Sequence, residues 1–348
     1  MSRRRILSGM RTTGRLHLGH YMGVLVNWAK LQETEECFFF AADWHALTTE
    51  YANPGLVKAS LTGMMVDWLA AGIDPEKATI FVQSWVPEHA ELHLLFSMST
   101  PLSWLERVPT YKDQIENLKH KDLGTYGFLG YPLLQSADIL VYRADGVPVG
   151  EDQVPHIELT REVARRFNHL YGEKVGPDEP PRGPLIEPQA LLTPASKLLG
   201  TDGRKMSKSY NNFIALGEAE ESAKKKIMTM TTDTQRVRRT DPGDPDVCPV
   251  FDYHKAFSDQ ATRDEVAEGC RSAGIGCIDC KKKLWAFMDA ELAPIRERVA
   301  FWEQRPREIE DLLVGGSLRA RREAEKTMAE VRKAMGLPDH EAIRGGAV

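Results

Sequence analysis

Residues 6–23 read ILSGMRTTGRLHLGHYMG. The order is an apolar run, a glycine-bearing loop, then a helix entrance. ILSG (6–9) predicts a short strand running into a turn. Gly9, Gly14 and Gly19 punctuate the loop, and glycine permits close backbone approach and unusual dihedrals. From Leu18 onward, Met22, Leu25, Trp28 and Leu31 recur at helical spacing. Such a unit sets unpaired N–H groups and a positive helix end at the carboxyl end of a strand, where ligands of open α/β sheets bind. His17 and His20 stand at that entrance and can donate to an anion there. The plainer readings are core or capping histidines, or a metal-binding pair three residues apart.

The pattern repeats outward from this unit. CFFFAAD (37–43) is a buried strand, Leu56 to Ala71 an amphipathic helix stopped by Gly72, and TIFVQS (79–84) a third strand. PLLQSADILVYRAD (132–145) reads as a helix, VPVGEDQ (147–153) as a short strand feeding a loop, and IELTREVARRFNHLYG (157–172) as a long helix. Alternating helices and buried strands predict an α/β fold with a parallel sheet. Residues 173–195, rich in Pro and Gly, predict a long loop. Beyond about residue 215 strand patterns vanish and helix formers dominate. The 348 residues therefore divide into an α/β domain (1–215) and a helical domain (216–348), in line with about 150 residues per domain. IRGGAV (343–348) reads as a frayed end.

Composition is that of a globular protein: 42% of residues are apolar and 27% charged. No run approaches the roughly 18 apolar residues of a membrane span. After the basic MSRRR only Ile6 and Leu7 form an apolar run, too short for a secretory core of about 7–15 residues. The expected compartment is the cytoplasm. The net charge of −5 argues against general nucleic-acid or DNA binding. Basic runs at 224–226, 236–239, 281–283 and 319–322 nonetheless predict a local basic surface on an acidic molecule.

A second phosphate-handling segment lies far downstream. GRKMSKS spans 203–209, with Lys205 and Lys208 three residues apart and Ser207 and Ser209 as hydrogen-bond donors. Two ammoniums can neutralise a polyphosphate, and a loop can close over a nucleotide and reopen. Alone, the segment also reads as a solvated basic loop. HLGH (17–20) and KMSKS (205–209) together resemble the two signatures of class I aminoacyl-tRNA synthetases. ADWHALTT (42–49), YPLLQSADIL (131–140) and VPVGEDQVPHIELTREVARRFNHLYG (147–172) resemble the tryptophanyl-tRNA synthetase family in particular.

That resemblance implies a Rossmann-like catalytic domain with an all-helical anticodon-binding domain, and a homodimer. It implies that L-tryptophan is activated with ATP, expelling pyrophosphate, and passed to the terminal adenosine of tRNA(Trp), where the 2′-hydroxyl attacks. Such chemistry depends on positioning and electrostatic stabilisation rather than on a protein nucleophile. By resemblance, His17, Gly19 and His20 hold ATP, and Arg11, Thr12 and Thr13 line the same loop. Gly150, Glu151 and Asp152 approach the ribose, while Lys205, Met206, Ser207, Lys208 and Ser209 grip the phosphates. Mg²⁺ accompanies the ATP. Asp138, in an apolar helix, is expected to accept the indole N–H, with Gln135, Gln153, His45 and Tyr131 lining that pocket. Gln135 departs from the Met common in bacterial members. Tyrosine also carries a donor at its tip, so Asp138 alone leaves a tyrosyl enzyme open, and a non-catalytic RNA-binding paralogue is a second alternative.

Five cysteines remain. Cys37 starts a buried strand and reads as a small core residue. Cys248, Cys270, Cys277 and Cys280 follow the spacing C-x21-C-x6-C-x2-C. Clustered cysteines in a reducing compartment are metal ligands more often than disulfides. The spacing suits zinc or a 4Fe–4S cluster equally. The resemblance favours a structural 4Fe–4S cluster, because a subset of the bacterial family has near-identical spacing with one more residue in the first gap; zinc is the second choice.

Overall fold

The computed structural model describes residues 3–109, 124–176, 179–193 and 198–338; the side chain of Ser209 and the expected frayed end at 343–348 lie outside the described residues. Five strands form one parallel sheet: β1 (Arg5–Arg11), β2 (Glu36–Ala42), β3 (Ala78–Val82), β4 (Gly146–Val149) and β5 (Gln189–Leu192), in the order β3-β2-β1-β4-β5. The first four match the sequence expectation closely. β5 does not: QALL falls within the expected loop, and pairing with β4 turns that half-exposed stretch into an edge strand. Its short, non-alternating pattern carries no period-two signal.

Side chains alternate across the sheet, and both faces are buried. Ile6, Phe39, Ala41, Ile80 and Val82 pack on one side; Leu7, Phe38, Phe40 and Phe81 pack on the other. This is why CFFFAA is continuously apolar rather than alternating. Trp28 stacks on Phe39 at 4.3 Å and meets Trp68 edge-on at 4.9 Å, which seals the first helices to the sheet.

The expected helix after the glycine loop is present, but it is broken into an α-turn (Leu18–His20), a π-helical stretch (Tyr21–Leu25) and an α-helix (Val26–Thr34). A π-turn adds a residue within one helix and so shifts the phase of the face that follows.

Among the described residues, everything after Leu216 is helical or irregular, as the composition predicts. The Cys277–Glu303 helix runs about 40 Å at 1.5 Å per residue and packs on the Pro54–Ala70 helix. Pro306–Ala334 then returns to the sheet and covers the outer edge of β3. A side chain at Gly316 would collide with the Ile80 carbonyl, and Ser317 Oγ accepts from the Val82 N–H at 3.3 Å. The last helix thus supplies a partner to an edge that would otherwise be open. No helix of the described residues is long and apolar enough to cross a membrane.

Candidate functional site

Strand order reverses between β1 and β4. An open α/β sheet presents a ligand crevice at such a point, outside the carboxyl ends of the strands. A cavity of about 380 Å³ opens there. Its walls come from Leu7, Ser8, Gly9 and Arg11 of β1, Phe40 and Ala42 of β2, the end of β4, and the helices that follow them. Gly9 must be glycine, because a side chain there would collide with the Phe40 ring. All five expected amino-acid contacts line the cavity: Asp138, Gln135, Gln153, His45 and Tyr131. Arg11 and Gly150 of the expected nucleotide set join them.

At one end lies Asp138, only 1% exposed. Its Oδ2 is 2.8 Å from His45 Nε2, and its Oδ1 is 2.6 Å from His89 Nδ1. Gln83 Nε2 donates to both oxygens, at 2.8 and 3.0 Å. Burial works to raise the pKa of this carboxyl, but the hydrogen bonds from His45 and His89 outweigh it and hold it below the usual range. The resting pocket therefore contains a buried carboxylate whose oxygens are already engaged.

The phosphate-handling candidates form a second cluster beside it. Gly19 N–H donates to His17 Nδ1 at 3.1 Å, and His17 N–H donates to His20 Nδ1 at 3.3 Å. Each Nδ1 is thus an acceptor, which places the ring proton on Nε2. Burial, with the nearby Lys208 charge, pushes His17 down to about 4. Burial, then His17 and Lys208, pushes His20 down to about 3. At neutral pH both rings are uncharged Nε2–H donors. Lys208 reaches across from the distant KMSKS segment, and its Nζ donates to the Thr13 carbonyl at 2.9 Å. Backbone bonds hold the two segments together: Leu18 N–H to Ile214 O at 3.0 Å and Leu216 N–H to Leu16 O at 3.2 Å. Two stretches some 190 residues apart in sequence thus form one cradle.

The family model for tRNA synthetases class I (W and Y) matches residues 2–293. The tryptophan–tRNA ligase of Thermotoga maritima is 56% identical, over 96% of this chain and 99% of its own. That of Ralstonia nicotianae is 51% identical, over 96% and 98%. The chain belongs to the tryptophan–tRNA ligases. Its fold agrees with that of the tryptophanyl-tRNA synthetase of Campylobacter jejuni, a structure complexed with ADP and tryptophan, at a TM-score of 0.81 and 32% identity, over 96% of this chain and 100% of that one. These findings answer both alternatives left open by the sequence, the tyrosyl enzyme and the non-catalytic paralogue.

The other candidates of this ligase are placed as follows. Thr12 is fully buried, Met206 is buried against the Gly19 side of the cradle, and Arg11 Nη2 donates to the Thr49 hydroxyl. Glu151, Asp152 and Lys205 are exposed, and Gly150 sits at the cavity edge, where an added Cβ would lie 2.8 Å from the Asp152 carboxylate. Three important residues were invisible to sequence reasoning. Gln83 lies at the end of the stretch TIFVQS and His89 five residues beyond it, and no local signal marks either. Asn212, buried at 2%, braces the KMSKS loop: its Oδ1 accepts from Ser207 N–H at 2.8 Å, and its Nδ2 donates to Asp202 Oδ1 at 2.8 Å and Lys205 O at 3.1 Å. It lies three residues past the signature, so only the fold reveals its role.

Cys37 is a buried core residue, as expected. Cys248, Cys270, Cys277 and Cys280 come into one neighbourhood. Burial, then the charges of Cys248, Cys270 and Cys277, pushes the Cys280 thiol up to about 12. Arg236 Nη1 lies 3.9 Å from Cys277 Sγ, and His254 Nε2 lies 3.3 Å from Cys280 Sγ. Among the described residues, no three His, Cys, Asp or Glu side chains are grouped to hold a single metal ion.

Proposed function

We propose that the protein activates L-tryptophan with ATP, releases pyrophosphate, and transfers the tryptophanyl group to the terminal adenosine of tRNA(Trp). One observation carries this reading for the site: Lys208 bonds the Thr13 carbonyl beside the His17–His20 pair, next to a cavity that ends at Asp138. The tryptophan carboxylate attacks the α-phosphorus of ATP, the bond to the pyrophosphate oxygen breaks, and charge gathers on phosphoryl oxygens. His17 and His20 offer Nε2–H bonds to those oxygens without carrying charge. Lys208, with Lys205 and the Ser207 and Ser209 hydroxyls, steadies the departing pyrophosphate, and Arg11, Thr12, Thr13 and Gly19 shape the loop around it. Gly150, Glu151 and Asp152 face the ribose. Mg²⁺ arrives on the ATP phosphates.

The indole N–H is received by Asp138, where it takes the place of the His45 N–H on Oδ2, while Gln135, Gln153 and Tyr131 enclose the ring. The division at residues 215 and 216 separates activation from anticodon contact. The cytoplasm is the site of action. A second copy of the chain is the expected partner, supported by the exposed Leu94 and Leu102 on consecutive helices and the exposed Met98 between them.

We also propose a 4Fe–4S cluster on Cys248, Cys270, Cys277 and Cys280, with zinc as the alternative. The support is chemical: four thiols share one neighbourhood in which burial pushes Cys270 and Cys280 up, while the Arg236 guanidinium and the buried Lys281 work the other way, so that a bound metal would complete the deprotonation. When bound, the group would fasten the loops around 248 and 277 to the Cys277–Glu303 helix. A single zinc draws its sulfurs to within about 3.8 Å of one another, whereas a larger cluster accepts wider spacing.

Pyrophosphate exchange with each amino acid tests the reading. Tryptophan-dependent exchange is expected; tyrosine dependence, or no exchange at all, would overturn it. A brown protein with broad visible absorbance is expected, and a colourless one holding stoichiometric zinc would refute the cluster.

A further inference from the structure

Three donors hold Asp138, and they differ in access. Gln83 and His89 are fully buried, while the His45 side chain lines the cavity and is 11% exposed. His89 is itself held from behind. Its Nε2 lies 2.7 Å from the Tyr142 hydroxyl, also fully buried, and its ring packs 6.0 Å from both Phe40 and Phe81. Burial, then the charges of Asp138 and Glu88, raises the Tyr142 phenol well above its ordinary range, so it remains an O–H donor. A hydroxyl donating into Nε2 leaves the imidazole proton on Nδ1, aimed at Asp138 Oδ1. The Tyr142–His89–Asp138 chain therefore fixes one oxygen from the closed side. The other oxygen faces His45, the one donor of the three that the cavity reaches.

We infer that His89 is a positioning residue for amino-acid selection: backed by Tyr142, it pins Asp138 Oδ1 so that Oδ2 can pass from His45 to the ring N–H of the substrate. The inference rests on Asp138 as the indole acceptor. His89 touches neither substrate nor nucleotide in this scheme. Its contribution is a fixed carboxylate plane, without which the acceptor would rotate toward its remaining partners.

The test is pyrophosphate exchange by the full-length protein, with thermal melting alongside. His89→Leu keeps bulk and removes the donor. His89→Asn places an amide nitrogen near the Nδ1 position and keeps it. We expect His89→Leu to raise KM for tryptophan about tenfold, the scale of one lost hydrogen bond to a charge, with kcat and KM for ATP changed less than about twofold. His89→Asn is expected to recover most of that loss at a similar melting temperature. Equal KM values in the two variants, or a fall in kcat at unchanged KM, would overturn the inference. Should His89→Leu not fold, Tyr142→Phe decides: a smaller rise in KM for tryptophan supports the inference and an unchanged KM overturns it. Asp138→Asn separates the two levels. If it leaves KM for tryptophan unchanged, the indole-acceptor reading itself fails; if it raises KM while His89→Leu does not, only the role of His89 fails.

Discussion

The phosphate cradle and the amino-acid pocket share β1 and the loop after it, yet they handle charge in opposite ways. In the cradle, a half-buried ammonium and two neutral imidazoles are donors gathered around space for an anion, and Lys208 rests on a backbone carbonyl. In the pocket, an anion 1% exposed already has donors from three side chains. In the proposed reaction, the cradle's interactions are completed when phosphate arrives and strengthen as charge moves to the leaving oxygens. The pocket is preorganised, and in the proposed reaction a substrate only exchanges one donor for another. Damage to the cradle should therefore appear in kcat, and damage to the pocket in KM.

The largest effect that could break this contrast is at Lys208. Lys208→Ala is expected to lower kcat for activation by about 10²–10³, the scale of one lost transition-state donor, with KM for tryptophan nearly unchanged. An equal loss in both parameters, measured by pyrophosphate exchange, would erase the distinction. Next comes Asp138→Asn, for which KM for tryptophan should rise about 10- to 100-fold while kcat at saturation falls much less. Titration by tryptophan-analogue fluorescence would check the binding part directly.

Asn212→Ala should have a smaller effect. It leaves the KMSKS loop unbraced, so kcat should drop several-fold, with about 1–3 kcal/mol lost from stability. Denaturant melts and exchange rates on the same preparation would separate the two.

The smallest effect is a deliberate flatness. His17 and His20 titrate near 4 and 3 in the folded protein, against about 6.5 when unfolded. The folded state therefore binds fewer protons between those values. Their contribution to stability is complete above about pH 6.5 and declines as pH falls toward 4 and then 3. Activation should show no break from either ring between pH 6.5 and 8, and melting temperature should decline below pH 6.5. A rate break near pH 6.5 that disappears in His20→Asn would show that one imidazole works as a charged group.

The two regions were not equally legible. HLGH and KMSKS are contiguous, and each carries its chemistry locally: a glycine for backbone approach, donors at a helix entrance, lysines on a loop. Asp138 was legible as a charge inside an apolar helix. Of its partners, His45 was named by the resemblance, but Gln83 and His89 were not, because the three come from separate places and meet only when the 88–97 and 131–141 helices pack together. The strand β5 escaped notice for a similar reason, since a four-residue edge strand owes its form to its neighbour rather than to its own pattern. The π-turn at 21–25 is likewise silent in sequence, where 3.6-residue spacing and its local exception look alike.

Sequence alone determined the alternation of buried strands and helices, the helical C-terminal portion, and the two signature segments proposed to hold phosphate. Each of these is written in short-range periodicity or in a contiguous run of chemically specific residues. Only the tertiary structure decided that Lys208 reaches Thr13, that the last helix closes the edge of β3, and that Asp138 is an anion held by His45, His89 and Gln83. Those are contacts between residues far apart in the chain. Their geometry follows from how the layers pack, and a carboxylate buried without such partners would instead be driven toward protonation.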